Sequence, residues 1–145
     1  MKKSVEITLS TIHVGSGREV VTLGINGKDS AAKFLDQLRK KDKNAYKTLN
    51  TRIHAVAEYG EYENKETFRH VGDGIFEFKR NNPKLIRLYA FYDNVEGIGQ
   101  LILCTNGGDK NQQDQGITKA KAIRKKYLEA KQKPDTTLIH QEPKS

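Results

Sequence analysis

Three apolar runs in the second half of the chain constrain the fold more than any other feature. They lie within residues 68–78, 85–93 and 100–105, separated by the turn Asn81-Asn82-Pro83 and by a loop at 93–99. Strands joined by such short connections pair as antiparallel neighbours, because a parallel pair needs a crossover of about a dozen residues or more. Residues 68–107 therefore predict a three-stranded antiparallel meander.

Two further structural units precede the meander. Alternating apolar residues on both sides of Gly15-Ser16-Gly17 predict an N-terminal β-hairpin over residues 1–27. Residues 28–60 predict a helical hairpin, with Asp29 and Asp42 as N-caps and Gly60 as the C-terminal stop. Its two apolar stripes have helical spacing and consist of Ala31, Phe34, Leu35 and Leu38, then Tyr46, Leu49, Ile53, Val56 and Ala57.

The last predicted unit is a basic helix over residues 118–133, with Thr118 as its N-cap and a narrow apolar stripe that includes Ala120 and Tyr127. Residues 134–145 contain two prolines and no hydrophobic period, so they predict a disordered tail. The chain is therefore expected to be a single α+β domain over residues 1–133. Its expected architecture is a twisted antiparallel sheet, formed by the meander and the N-terminal strands, that packs against the helical hairpin and the basic helix.

Charge is the strongest compositional signal of function. The 145 residues include 26 Lys and Arg against 18 Asp and Glu, which gives a formal net charge of +8. The segment 119–133 contributes seven cations and one anion, and Lys79, Arg80, Lys84 and Arg87 form a second basic group. Such a basic stripe indicates a surface that binds nucleic-acid phosphate. The alternative is a solvated helix face that only keeps the protein in solution.

The sequence disfavours several other classes of protein. The single cysteine, Cys104, lies in an apolar run, so neither a disulfide framework nor a cysteine-rich zinc module is expected. The four histidines are scattered without metal-site spacing, and no metal or other cofactor is expected. No segment approaches the ~18 apolar residues of a membrane span, and no secretory signal follows Met1. The predicted protein is therefore cytoplasmic and has no membrane partner.

Arg87 is the most informative single residue, because it lies in the middle of an apolar strand. Burying a guanidinium is costly unless it has a partner. One possible partner is Glu77, across the predicted hairpin, and the other is a phosphate held between the strands. The residues alone leave both open.

Three segments resemble the RelE/ParE toxin superfamily, in particular its HigB-like, phage-associated branch. They are Gly-Asp-Gly-Ile-Phe-Glu-Phe-Lys at 72–79, Ile-Arg-Leu-Tyr-Ala-Phe-Tyr-Asp at 86–93 and Leu-Ile-Leu-Cys-Thr-Asn-Gly at 101–107, with two helices before them and a basic helix after. The resemblance covers about residues 28–131 and implies a RelE-like fold with helices on one face of the sheet. It also implies a metal-independent, ribosome-dependent mRNA endoribonuclease and a cognate antitoxin that covers its basic cleft.

The resemblance also assigns roles to residues by position. Lys79 corresponds to the basic residue presented to the scissile region, and Arg87 corresponds to a phosphate clamp on the next strand. Lys110 would neutralise phosphate or protonate the leaving group, and Glu77 would orient Arg87 or act as the base. The residues expected to bind nucleic-acid phosphates are Arg69, Arg80, Lys119, Arg124, Lys125 and Lys126.

Three functions therefore stand as hypotheses. The first is a toxin of a type II toxin–antitoxin system that cleaves mRNA, with the ribosome, mRNA and an antitoxin as partners. The second is a relative that inhibits DNA gyrase without cutting RNA, since this fold does not determine the target. The third is a basic accessory protein that only binds nucleic acid. Sharp product ends that depend on Arg87 would distinguish the first from the others.

Overall fold

The computed structural model describes residues 4–59, 68–81, 84–109 and 112–142. The elements within them are β1 (Glu6–Val14), β2 (Glu19–Ile25), α1 (Ser30–Lys41), α2 (Lys43–Tyr59), β3 (Phe68–Gly72), β4 (Ile75–Arg80), β5 (Ile86–Val95), β6 (Gly99–Gly108), α3 (Gln113–Lys131) and β7 (Thr137–Gln141). The strands form one sheet in the order β3-β4-β5-β6-β2-β1-β7. The predicted α+β class is confirmed.

The predicted N-terminal hairpin is present, and the predicted three-stranded meander has four strands, because the apolar run at 68–78 reverses at residues 72–74 and forms both β3 and β4. Each of β3, β4 and β5 pairs antiparallel with the next strand, and β1 pairs antiparallel with β2. The prediction of a purely antiparallel sheet is wrong, because β2 pairs parallel with β6 and β1 pairs parallel with β7. Between β2 and β6 the chain passes through α1 and α2, which provide the long connection that parallel neighbours need. The sheet is therefore mixed.

The predicted disordered tail contains the last strand, β7. Its backbone pairs with the open edge of β1, in register from Glu6 opposite Thr137 to Ser10 opposite Gln141. A side-chain contact anchors it, since His140 Nε2 lies 2.5 Å from Glu19 Oε2 on β2. Backbone pairing and a polar anchor thus order a segment whose hydrophobic pattern does not predict a strand.

The sheet lies between two helical layers. The buried cluster on one face joins Leu49 of α2 to Phe78 and Leu88 of the meander. The cluster on the opposite face joins Tyr127 of α3 to Phe91. Helices on one face only, as the RelE resemblance implies, are therefore not observed. The physical reason is that β5 is apolar on both sides, so both faces of the sheet must be covered.

Two of the predicted helix caps are confirmed. Asp29 Oδ1 accepts a hydrogen bond from the Ala32 amide at 2.9 Å, and Asp42 Oδ1 accepts one from the Ala45 amide at 3.0 Å. Both carboxylates thus satisfy amides that the first helical turn leaves without partners. The predicted stop at Gly60 lies outside the described residues.

The third helix starts earlier than predicted. It begins at Gln113, and Thr118 lies inside it with its hydroxyl donating to the Asp114 carbonyl at 2.9 Å, so the predicted cap at Thr118 is wrong. Gly116 lies in this first part of the helix, where any Cβ would overlap the ring of Tyr89. The missing side chain allows the start of α3 to lie directly against β5.

Gly107 and Gly108 form a matched pair that tests the packing of α1 on β6. A Cβ on Gly107 would overlap the ring of Phe34, whereas a Cβ on Gly108 has no neighbour within 4 Å among the described atoms. We expect Gly107→Ala to lower the free energy of unfolding by about 1–3 kcal/mol, because the ring must leave a packed layer. Gly108→Ala should change it by less than about 0.5 kcal/mol. Urea unfolding measures both values, and equal losses would contradict this packing.

His13 on β1 and His54 on α2 form a stacked pair with ring centroids 3.6 Å apart. The side chain of His54 is exposed, but partial desolvation lowers its pKa and the charge of His13 lowers it further, against an opposing effect of Glu58. The folded state thus favours the neutral ring. The contribution of His54 to the free energy of unfolding is therefore fully present above its ordinary pKa of 6.5 and is lost as the pH falls below that value. We expect His54→Gln to lose less stability than the wild type between about pH 7.5 and pH 5.5. Urea unfolding at the two pH values checks this, and identical losses would show that His54 does not carry the effect.

Candidate functional site

Adjacent strands bring several predicted site residues onto one face of the sheet. In the pairing of β4 with β5, Lys79 lies opposite Arg87 and Glu77 lies opposite Tyr89. Because side chains alternate along a strand, all four belong to the face that α3 covers. A short antiparallel hairpin thus places the predicted acid and the predicted phosphate clamp side by side.

Glu77 is a fully buried carboxylate that contacts three donors. Its Oε1 lies 2.8 Å from Arg87 Nε and accepts a hydrogen bond from Gln113 Nε2 at 3.1 Å. Its Oε2 accepts a hydrogen bond from Arg69 Nε at 3.4 Å. The side chain is 0% exposed, so a substrate in solvent has no route to it. Of the two roles left open for Glu77, this geometry supports the orientation of Arg87.

Arg87 is the buried cation at the centre of the cluster, with only 7% of its surface exposed. Its Nε and Nη1 atoms are both buried, and neither makes a well-directed hydrogen bond to a residue that the structure describes. The 2.8 Å approach of Nε to Glu77 is therefore a charge contact. A buried donor that lacks an acceptor costs about 1–3 kcal/mol. Glu77 thus holds the guanidinium in place, while the donor of Nη1 stays without an acceptor among the described residues.

A cavity of about 220 Å³ opens beside Arg87, which we call the Arg87 cavity. Its lining comes from β5, the end of β6 and the start of α3, and consists of Arg87, Tyr89, residues 106–109, Gln112, Gln115, Gly116 and Lys119. The first amides of a helix have no carbonyl partner within it and carry partial positive charge. Asp109 is the one acid of this described lining, and its Oδ2 lies 3.1 Å from Lys84 Nζ. The arrangement suits an anion such as phosphate.

Residues that sequence reasoning missed complete the cavity. Tyr89 forms part of its wall, and burial together with the charge of Glu77 raises the pKa of the phenol to about 12, which keeps it neutral. Asn106 Nδ2 donates to the Gly116 carbonyl at 3.1 Å and connects β6 to the first turns of α3. The sequence contains no signal for these roles, because Asn106 belongs to a turn-like segment and Gly116 precedes the predicted helix.

The other predicted strand residues occupy different positions. Lys79 is half-buried next to Arg87 but does not belong to the described lining of the cavity. Lys110 lies outside the described residues. Arg80 is 3% exposed and belongs to the opposite face of the sheet, where its Nη2 lies 3.8 Å from Asp42 Oδ2. The structure therefore does not bring Arg80 to this site, and its burial indicates a structural role.

The basic residues of α3 divide into two groups. Lys121 and Lys131 form ion pairs with carboxylates of the β3–β4 turn and of β5, at 2.5 and 2.6 Å. Arg124 lies over the ring of Phe91, 5.8 Å from its centroid. The second group has no ion pair within the described parts of the chain and consists of Lys119, Lys125, Lys126 and Lys133. This second group carries the charge that an anionic partner can use.

Two other reactive side chains are buried away from the cavity. Cys104 lies in the core under α1 and α2, and burial raises the pKa of its thiol. Tyr127 donates its hydroxyl to Asp93 Oδ2 at 2.6 Å, and burial raises the pKa of its phenol. Within residues 4–59, 68–81, 84–109 and 112–142, no group of three or more His, Cys, Asp or Glu is placed to hold a metal ion. None of the helices described there is long and apolar enough to cross a membrane.

Comparison of the chain with protein-family models, with curated proteins and with solved structures gave no match. The RelE-like identity and the toxin function therefore stay predictions. The structure itself establishes an α+β protein with a mixed seven-strand sheet and a buried arginine beside a cavity at the start of α3.

Proposed function

We propose that this protein is a metal-independent endoribonuclease, a toxin of the type II toxin–antitoxin kind that cleaves mRNA on the ribosome. One observation carries the proposal: Arg87 is a buried guanidinium held against Glu77, its Nη1 has no hydrogen bond to the described residues, and the residue lines the cavity at the start of α3. The proposed partners are mRNA, the ribosome and a cognate antitoxin, and the proposed location is the cytoplasm.

The proposed reaction uses the 2′-hydroxyl of the RNA as nucleophile. The 2′ oxygen forms a bond to phosphorus while the bond between phosphorus and the 5′ oxygen breaks, which leaves a 2′,3′-cyclic phosphate and a 5′-hydroxyl. The phosphoryl oxygens gain negative charge in the transition state, and donors fixed at that point accelerate the reaction. In this proposal, Arg87 and the first amides of α3 supply them. Water accepts the 2′ proton, and Lys119 at the rim protonates the leaving 5′ oxygen.

The dimensions of the Arg87 cavity support a phosphodiester as its ligand. Its volume of about 220 Å³ corresponds to roughly seven water molecules in the liquid. Gly108 contributes a wall without a side chain, where a Cβ would have no neighbour within 4 Å among the described atoms, which lets an RNA backbone approach closely. Contacts of this kind position a nucleic acid but carry no sequence information. We therefore assign the choice of cleavage site to contacts outside this cavity.

The burial of Glu77 favours a second candidate function. The described lining of the cavity contains no carboxylate besides Asp109, which is paired with Lys84, and it contains no histidine. A site with cations and no accessible base binds phosphate without needing to cleave it. The second candidate is therefore a non-nucleolytic protein that binds nucleic acid, either as an accessory protein or as an inhibitor of DNA gyrase.

Primer extension on an mRNA in a reconstituted translation reaction tests the proposal. Wild-type protein should produce discrete cleavage ends with 5′-hydroxyl groups, and only when ribosomes are present. If the mRNA stays intact while the protein still binds RNA, the cleavage proposal is wrong and the second candidate, nucleic-acid binding, takes its place. Intact mRNA together with DNA breaks in cells would identify gyrase as the target.

A further inference from the structure

A second concave surface lies on the other side of Lys119. It is a groove of about 440 Å³ between α3 and the region around the end of β2, which we call the α3 groove. Its floor is aliphatic and includes Leu23, Ile25, Ala122 and Ile123. Its rim carries four lysines against one acid, and these residues are Lys28, Lys119, Lys126, Lys133 and Glu129.

The lysines of the α3 groove differ from other lysines of the same helix. Lys121 and Lys131 lie outside the groove, and their charges are neutralised by Asp73 and Asp93. The four groove lysines have no ion pair within the described parts of the chain. Three of the α3 lysines without an ion pair among the described residues, Lys119, Lys126 and Lys133, therefore lie around the apolar floor of the groove.

We propose that the α3 groove binds an acidic, amphipathic segment of a partner protein. The aliphatic floor would bury apolar side chains of that segment, and the lysine rim would pair with its Asp and Glu residues. The groove-lining positions of α3 follow helical spacing, at residues 119, 123, 126, 130 and 133. They cover about 21 Å along the helix axis at 1.5 Å per residue. A partner helix of about fourteen residues matches this length, in the manner of an amphipathic helix that packs into a groove.

The composition of the groove favours a protein segment over a nucleic acid. Proteins that bind single strands place aromatic side chains and arginines where bases can stack. The described lining of the α3 groove contains neither an aromatic residue nor an arginine. Its aliphatic side chains instead match the Leu, Ile and Val of an amphipathic helix.

Lys119 connects the groove to the Arg87 cavity, because it lines both. A bound acidic segment would neutralise Lys119 and weaken the binding of RNA phosphate next to Arg87. This regulatory consequence rests on the proposed function, whereas the docking itself does not.

Fluorescence anisotropy with a labelled fourteen-residue peptide, in which Glu and Leu occupy opposite faces of a helix, tests the docking. We expect Lys126→Glu at the rim and Ala122→Asp on the exposed floor to weaken binding about tenfold each. Lys125→Glu makes the same change in net charge as Lys126→Glu, one position away and outside the groove lining. It should weaken binding by less than about threefold. All three positions are exposed, and circular dichroism confirms that the variants are folded.

The contradicting outcomes are equally specific. Failure of the peptide to bind, equal binding of a scrambled peptide of the same composition, or equal weakening by Lys125→Glu and Lys126→Glu would overturn the docking proposal. A single-stranded RNA whose binding depends on Ala122 in the same way would also overturn it. RNA cleavage is not part of this assay, so the docking and the ribonuclease can fail independently.

Discussion

Arg87→Ala is expected, under the proposed ribonuclease function, to lower the rate of ribosome-dependent RNA cleavage by about 10²- to 10³-fold, because it would remove a donor from the charge that develops in the transition state. Arg87→Lys should recover only part of the rate. An ammonium group keeps the charge but lacks the planar fork that can contact Glu77 and a phosphate together. Initial rates from primer extension give these ratios.

Two control variants separate this loss of activity from a loss of folding. Glu77→Met/Arg87→Met removes both buried charges together, so the protein should stay folded while its cleavage rate falls as far as in Arg87→Ala. Lys121→Ala removes an exposed cation of α3 that is already paired with Asp73 and does not line the Arg87 cavity, and its rate should stay within about twofold of wild type. Wild-type cleavage by the double variant would show that Arg87 does not act in the reaction.

Glu77→Met alone is expected to lower the free energy of unfolding by about 3–5 kcal/mol. It leaves the guanidinium of Arg87 buried without the carboxylate that lies 2.8 Å from its Nε. The double variant should regain most of this loss, since two apolar side chains fill the space without an uncompensated charge. Urea unfolding of the wild type, the two single variants and the double variant gives the coupling energy, which we expect to exceed about 1.5 kcal/mol.

Additive losses would contradict this pairing. If the two single substitutions sum to the double variant within about 0.5 kcal/mol, Glu77 and Arg87 do not stabilise each other. The buried carboxylate of Glu77 would then be stabilised by Arg69 and Gln113, the other donors that contact it.

Sequence reasoning predicted the local parts of the fold. The meander follows from short turns between apolar runs, and the caps at Asp29 and Asp42 follow from side chains that act within three residues. The parallel pairing of β2 with β6 joins residues such as Val21 and Leu103, which are far apart in the chain. No local pattern encodes that pairing. The strand β7 was missed for a related reason, because the edge of β1 orders it through the backbone.

The candidate site divides in the same way. The pairing of Glu77 with Arg87 was one of two predicted alternatives, because a hairpin register is set by a nearby turn. The contribution of the start of α3 was not predicted. The apolar stripe of α3 begins only where the helix packs on the sheet. The turn of α3 before that stripe is held by a hydrogen bond from Asn106 to the Gly116 carbonyl. Such a contact between distant polar groups leaves no periodic trace in the sequence.

NMR titration of the wild-type protein with a 2′-O-methyl RNA, which cannot be cleaved, tests the central claim most directly. The claim is that Arg87 binds an RNA phosphate in the cavity at the start of α3. The account predicts that the guanidinium signals of Arg87 shift and saturate at the same RNA concentration as the ammonium signal of Lys119. Unchanged Arg87 signals, with shifts confined to exposed lysines such as Lys125, would contradict it.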